Sequence, residues 1–170
     1  MSEQPSRVEP AYEGSETPML ISWLDYERAT LAVKCDGLTD SQLRERAVRP
    51  STLSLLGLVR HMSEVERHWF RRVLQGEDAP PLYYSDPGDP DGDFDHVDTA
   101  DVGEAFATWR TECDRARANV AAAPSLDVTG LHRGGQVSLR WILVHMIEEY
   151  ARHNGHADLL RERIDGAVGE

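Results

Sequence analysis

The chain has 170 residues, enough for one domain with a substantial core, and 40% of them are hydrophobic. Its formal charge of −12 argues against nucleic-acid binding, which needs a basic face. No apolar run reaches the length of a membrane span and the polar, acidic N-terminus lacks a signal-peptide pattern, so a soluble cytoplasmic protein is expected.

Residues 1–16 mix Pro, Glu and Ser and are expected to form a flexible tail, with residues 17–166 as a single domain. Thr17-Pro18 reads as a helix start. Leu20, Trp23, Leu24, Glu27 and Leu31 follow at helical spacing, and Gly37 closes the helix. Trp23 and Leu24 are expected in the core. A short helix fits Asp40–Arg46, and Pro50-Ser51 breaks it.

Ser54 caps a second long helix that runs to Gln75, with Gly76 as its stop. Leu55, Leu58, Met62, Val65, Trp69 and Val73 form its apolar stripe. His61 and His68 flank that stripe, while Glu64, Arg67, Arg71 and Arg72 are expected toward solvent. The next stretch, residues 79–98, is too rich in Pro, Gly and Asp for a helix and reads as a long acidic loop. Its run Asp89, Asp91, Asp93, Asp95 invites a calcium reading. Gly92 is misplaced for an EF-hand, however, and no bidentate Glu closes the loop, so a solvated loop is the better reading. Tyr83 and Tyr84 are candidates to turn inward over a pocket.

Thr99 caps a third helix over about Ala100–Ala123, with Ala105, Phe106, Trp109, Cys113, Ala116 and Val120 inward. Residues 127–137 read as irregular or extended. Ser138 then caps a fourth helix, whose end Gly166 marks. Four long amphipathic helices without a convincing strand give an all-α fold, an antiparallel four-helix bundle with long loops. Cys35 and Cys113 sit in unrelated segments without metal-ligand spacing and are expected as free thiols.

Candidate chemistry concentrates on the fourth helix. Ile142, Met146, Leu160 and Ile164 share one face, and Glu149 and His153 lie in the middle of it, four residues apart. A carboxylate among apolar side chains needs compensation, by a metal ion or by a buried ion pair. Imidazole and carboxylate together suit zinc and related divalent ions, usually three ligands to a catalytic site. The third would come from His61 or His68, between which periodicity does not choose. His145 and His156 lie at the edge of the stripe and read as pocket groups around the ligands. A metal-free Glu149–His pair is the plainer alternative.

Two runs carry a resemblance: LSLLGLVRHMSEVERHWF at 53–70 and VSLRWILVHMIEEYARHNGHADLLRE at 137–162. They resemble the DinB-like (DinB/YfiT) superfamily of metal-binding four-helix bundles, in particular its actinobacterial branch. The single lysine, Lys34, among many arginines fits a GC-rich genome of that kind. The resemblance implies one ligand from the second helix and two from the fourth, hence His61, Glu149 and His153 as the metal set. Many members have His at both fourth-helix positions; the Glu here is similar to the maleylpyruvate isomerase branch, where His, Glu and His hold zinc. It further implies zinc, with nickel or iron as alternatives, and a low-molecular-weight thiol as co-substrate, mycothiol in actinobacteria. The implied activity is that of a metal-dependent S-transferase or isomerase-like enzyme in which a thiolate attacks an electrophile. His145, His156, Arg152, Tyr83 and Tyr84 would then contact substrate. Homodimers are common in that superfamily. The alternative is a non-catalytic metal-binding or stress-related bundle that works through a partner.

Overall fold

A computed structural model describes residues 7–85 and 87–169. The part of the expected tail at residues 1–6 lies outside the described residues. The elements in order are α1 (Glu16–Cys35), α2 (Asp40–Leu43), α3 (Leu55–Glu66), a π-helical segment (Arg67–Val73), α4 (Gly92–Asp95), α5 (Val102–Ala122), β1 (Thr129–His132), β2 (Gly135–Ser138) and α6 (Leu139–Asp165). Among the described residues the protein is mostly helical, with one small sheet, and no helix is long and apolar enough to cross a membrane. Two compact units divide the chain: one runs to Leu58 and resumes at Leu143, the other is Val59–Ile142.

In the first unit, α1 begins at Glu16 with Ser15, not Thr17, at its N-cap position, and the chain turns after it at Gly37, whose φ of +73° favours glycine. Thr39 and Gln42 cap α2 reciprocally. Leu24, Leu31, Leu55, Met146, Tyr150 and Leu160 are buried. Trp23 is not in the core as expected: it is 42% exposed, edge-on to Tyr26. Polar contacts tie α1 to α6. Asn154 Nδ2 donates to Glu27 Oε2 at 2.7 Å and to the Glu27 carbonyl, Lys34 pairs with Asp158 at 2.7 Å, and Arg161 donates to the Lys34 and Asp36 carbonyls. Partner numbers rise together along both helices, so α1 and α6 run parallel.

The expected helix from Ser54 to Gln75 changes type within the second unit, becoming π-helical from Arg67. A π turn leaves carbonyls out of the usual pattern, and Asn119 Nδ2 donates to the Phe70 carbonyl at 3.0 Å. Arg67 and Arg71 do not form an exposed face. Both donate to Glu112, which is 4% exposed, and Cys113 contacts Glu66. Glu66–Cys113 and Phe70–Asn119 also rise together, so this helix and α5 run parallel too. These two parallel pairs correct the expectation of antiparallel neighbours. A parallel pair needs a long return, and residues 74–101 supply it.

Asp101, rather than Thr99, caps α5, accepting from the Glu104 amide at 2.8 Å. The stretch expected to be irregular is an antiparallel hairpin, with Thr129 opposite Ser138 and His132 opposite Gly135. Arg133 and Gly134 both have positive φ, as its two-residue turn requires. Gly130 faces the end of the π segment so closely that an added Cβ would lie 2.0 Å from the Val73 carbonyl oxygen.

Candidate metal centre

The first unit carries a row of ionisable groups along α6. Helical spacing stacks Glu149 and His153 one turn apart, with His153 Nε2 3.5 Å from Glu149 Oε2. The other ring nitrogen of His153, Nδ1, lies 3.4 Å from His156 Nδ1. On the opposite side His145 Nε2 is 3.5 Å from Glu149 Oε1, and His145 Nδ1 faces Glu148 at 3.7 Å. Arg152 is largely exposed and pairs with Glu148. His145, Glu148 and Glu149 each offer a ligand atom within 4.8 Å of the others.

The second unit holds His61 on α3. Its Nδ1 is 2.7 Å from Asp93 Oδ2, a carboxylate that is 6% exposed, and its ring stacks on Phe94 with centroids 4.7 Å apart. A carboxylate at Nδ1 favours the proton there and leaves Nε2 as the nitrogen suited to a metal. On α6, His153 divides its nitrogens differently: Nδ1 faces His156 and Nε2 faces the carboxylate of Glu149. His68 sits differently, within 5.4 Å of both Trp69 and His132 in a cluster of rings.

The acidic loop is anchored rather than solvated. Arg60, 7% exposed, donates to the carbonyls of Gly92 and Asp93, both at 2.9 Å, and lies 4.1 Å from the centre of the Tyr83 ring. Burial lowers the pKa of its guanidinium. Glu64, expected toward solvent, is 4% exposed and accepts from the Leu82 and Tyr83 amides, both at 2.6 Å. Its carboxyl is pushed up by burial, against which those two amides and Arg72 act only in part. Arg67 donates to the Pro80 carbonyl and Arg72 to that of Ala79. Tyr83 packs on Arg60, its hydroxyl pKa raised by burial. Tyr84 turns inward and, with His61, Glu64, His68, Trp69 and Asp93, lines a cavity of about 260 Å³.

Of the residues expected at the site, the structure thus groups Glu149, His153, His145 and His156 within one unit, and His61 and Tyr84 within the other. Asp93, Phe94, Glu64 and Arg60 were missed. Periodicity gave no signal for them, since Asp93 is one of several aspartates in a loop and Glu64 lies off the apolar stripe.

The model of a family described as mycothiol-S-transferase matches residues 19–166. No curated protein matches the chain. With most of its length covered, the chain belongs to the mycothiol-S-transferase family, a DinB-like family of actinobacteria.

Proposed function

We propose that this member of the mycothiol-S-transferase family is a metal-dependent enzyme that joins mycothiol to an electrophile, with residues 17–166 working as one four-helix bundle domain in the cytoplasm. His61, Glu149 and His153 would hold the ion. The donor set fits: two neutral imidazoles and one carboxylate suit zinc, with nickel and iron as alternatives, and three protein ligands are the usual number at a catalytic site. All three side chains are half-buried. The observation that carries the reading is the arrangement of the two rings. Asp93 engages Nδ1 of His61 and leaves its Nε2 for the ion, while His153 turns Nε2 toward Glu149, the other proposed ligand on α6. When bound, such an ion lowers the pKa of a coordinated thiol so that it is a thiolate at neutral pH.

The chain's own residues then bind and orient. Asp93 and Phe94 fix the His61 ring from one edge and one face. Tyr84 walls the cavity beside His61, and His145, His156 and Arg152, all on α6, would contact the substrate. The thiolate sulfur attacks the electrophilic carbon; a C–S bond forms as the leaving group departs with its electron pair, and the thiol proton passes to solvent. Thioether formation from mycothiol and a haloalkyl compound, followed by mass spectrometry, tests this. Product should form with zinc-refilled protein, stop on chelation and return with zinc. Product at the uncatalysed rate with fully loaded protein would refute it.

A further inference from the structure

Mycothiol S-transfer leaves the electrophile unspecified, and the cavity beside His61 bears on it. Its walls include Trp69, Tyr84 and His68, and its polar lining includes the carboxylates of Glu64 and Asp93. Among the described residues no arginine or lysine lines it. Arg60 and Arg72 lie behind that lining, and their charges offset part of the charge on the two carboxylates. Arg60 donates to two backbone carbonyls and packs on Tyr83, and Arg72 donates to the Ala79 carbonyl and reaches the Tyr84 hydroxyl at 3.5 Å. Both lining carboxylates belong to residues that are 4% exposed, so water screens them poorly. Asp93 is fixed by His61 and by the Phe94 amide, and Glu64 by two amides, so neither can swing away when a ligand arrives.

From this we infer that the cavity seats the ring of the electrophile, and that it selects an uncharged or cationic ring over one bearing a negative charge. The inference rests on the S-transfer reading for the ligand's role as electrophile, but the seat is a property of the second unit alone. A cavity on the order of 150 Å³ holds a benzene ring, so about 260 Å³ takes one substituted ring. Aromatic walls supply ring contacts and attract cations. A negative group at roughly 6 Å from one of these carboxylates would lose on the order of a hundredfold in binding at an effective dielectric of about 20, and about tenfold after partial screening. Carboxylate-bearing electrophiles of the kind an isomerase of unsaturated diacids handles are therefore disfavoured.

The test uses three ring ligands that do not bind zinc strongly: benzyltrimethylammonium, benzyl alcohol and benzenesulfonate. Their binding to the zinc-refilled protein saturated with mycothiol, whose thiolate together with Glu149 would offset the charge of the ion, is measured by calorimetry or ligand-observed NMR. The ammonium should bind at least about tenfold more tightly than the sulfonate, with the alcohol between them. Glu64→Gln should narrow that gap, and Tyr84→Ala should weaken the ammonium and the alcohol several-fold. Sulfonate binding as tight as that of the ammonium would overturn the proposal, as would ring binding indifferent to Tyr84→Ala. Turnover of bromomethylarenes carrying the same three substituents separates the two readings. Binding in the expected order without turnover supports the seat and removes the S-transfer reading. Turnover without a charge preference removes the seat and leaves S-transfer standing.

Discussion

Replacing Asp93 by alanine tests how the structure prepares His61. Asp93 Oδ2 lies 2.7 Å from Nδ1 in a pair whose side chains are 6% and 23% exposed. A hydrogen bond to a charged group at such burial contributes about 1.5–3 kcal/mol. Without it the imidazole is free to carry its proton on either nitrogen and to turn against Phe94. Since about 1.4 kcal/mol is a factor of ten, metal affinity should fall by about 10- to 100-fold. Asp93→Asn keeps an oxygen that accepts from Nδ1–H and should lose less, under about tenfold. Competition for zinc against a chromophoric chelator measures both, and far-UV circular dichroism checks that the helices persist. The apo protein offers a readout that mere loss of structure would not move: the ¹⁵N shifts of His61 should report Nδ1–H in wild type and a tautomer mixture in Asp93→Ala. Wild-type zinc affinity in Asp93→Ala, or Nε2–H in the wild-type apo protein, would refute the reasoning.

Two further predictions concern stability. Burial raises the Glu64 pKa above its ordinary value of 4.5, so the carboxyl favours folding most below that value and this contribution is lost as pH rises through the raised pKa. Glu64→Gln, which keeps an oxygen for the Leu82 and Tyr83 amides, should therefore be more stable than wild type at pH 8, with the difference closing below pH 4.5. Urea unfolding across that range measures it, and a variant less stable at pH 8 would contradict the sign. Gly130→Ala would place a Cβ 2.0 Å from the Val73 carbonyl oxygen and should destabilise by about 1–3 kcal/mol in the same assay. No change would mean the hairpin does not approach the π segment so closely.

Helices and their ends were largely legible in the sequence because apolar periodicity and capping residues act locally. Ser54 and Ser138 accept from the Gly57 and Trp141 amides at 3.1 and 3.2 Å, as the sequence suggested. Helix direction was not legible. Nothing local says whether α5 runs with or against α3, and the long loop that permits the parallel choice looked like solvated chain. Its anchors pair residues many positions apart, Arg60 with Gly92 and Asp93, Glu64 with Leu82 and Tyr83, so no window of sequence shows them. Glu64 also sits where a helical wheel puts solvent, and the loop covers it. The hairpin was missed because Gly130 and the His132–Gly135 turn read as irregular chain when only the π segment explains a glycine at 130. At the candidate site, spacing showed the α6 carboxylate and imidazole, while the choice of His61 over His68 rested on resemblance. The Asp93 bond to His61 is the structural reason that favours it.

The central claim is that His61, Glu149 and His153 together bind one catalytic ion. Elemental analysis of the purified, zinc-refilled and dialysed protein tests it most directly, beside His61→Ala, Glu149→Ala, His153→Ala and His68→Ala. The expected result is about one divalent ion per chain in wild type and His68→Ala, and loss of the ion in the other three with helical content retained. An ion that survives His61→Ala, or none in refilled wild type, would contradict the claim and leave the α6 row as a polar network without a metal.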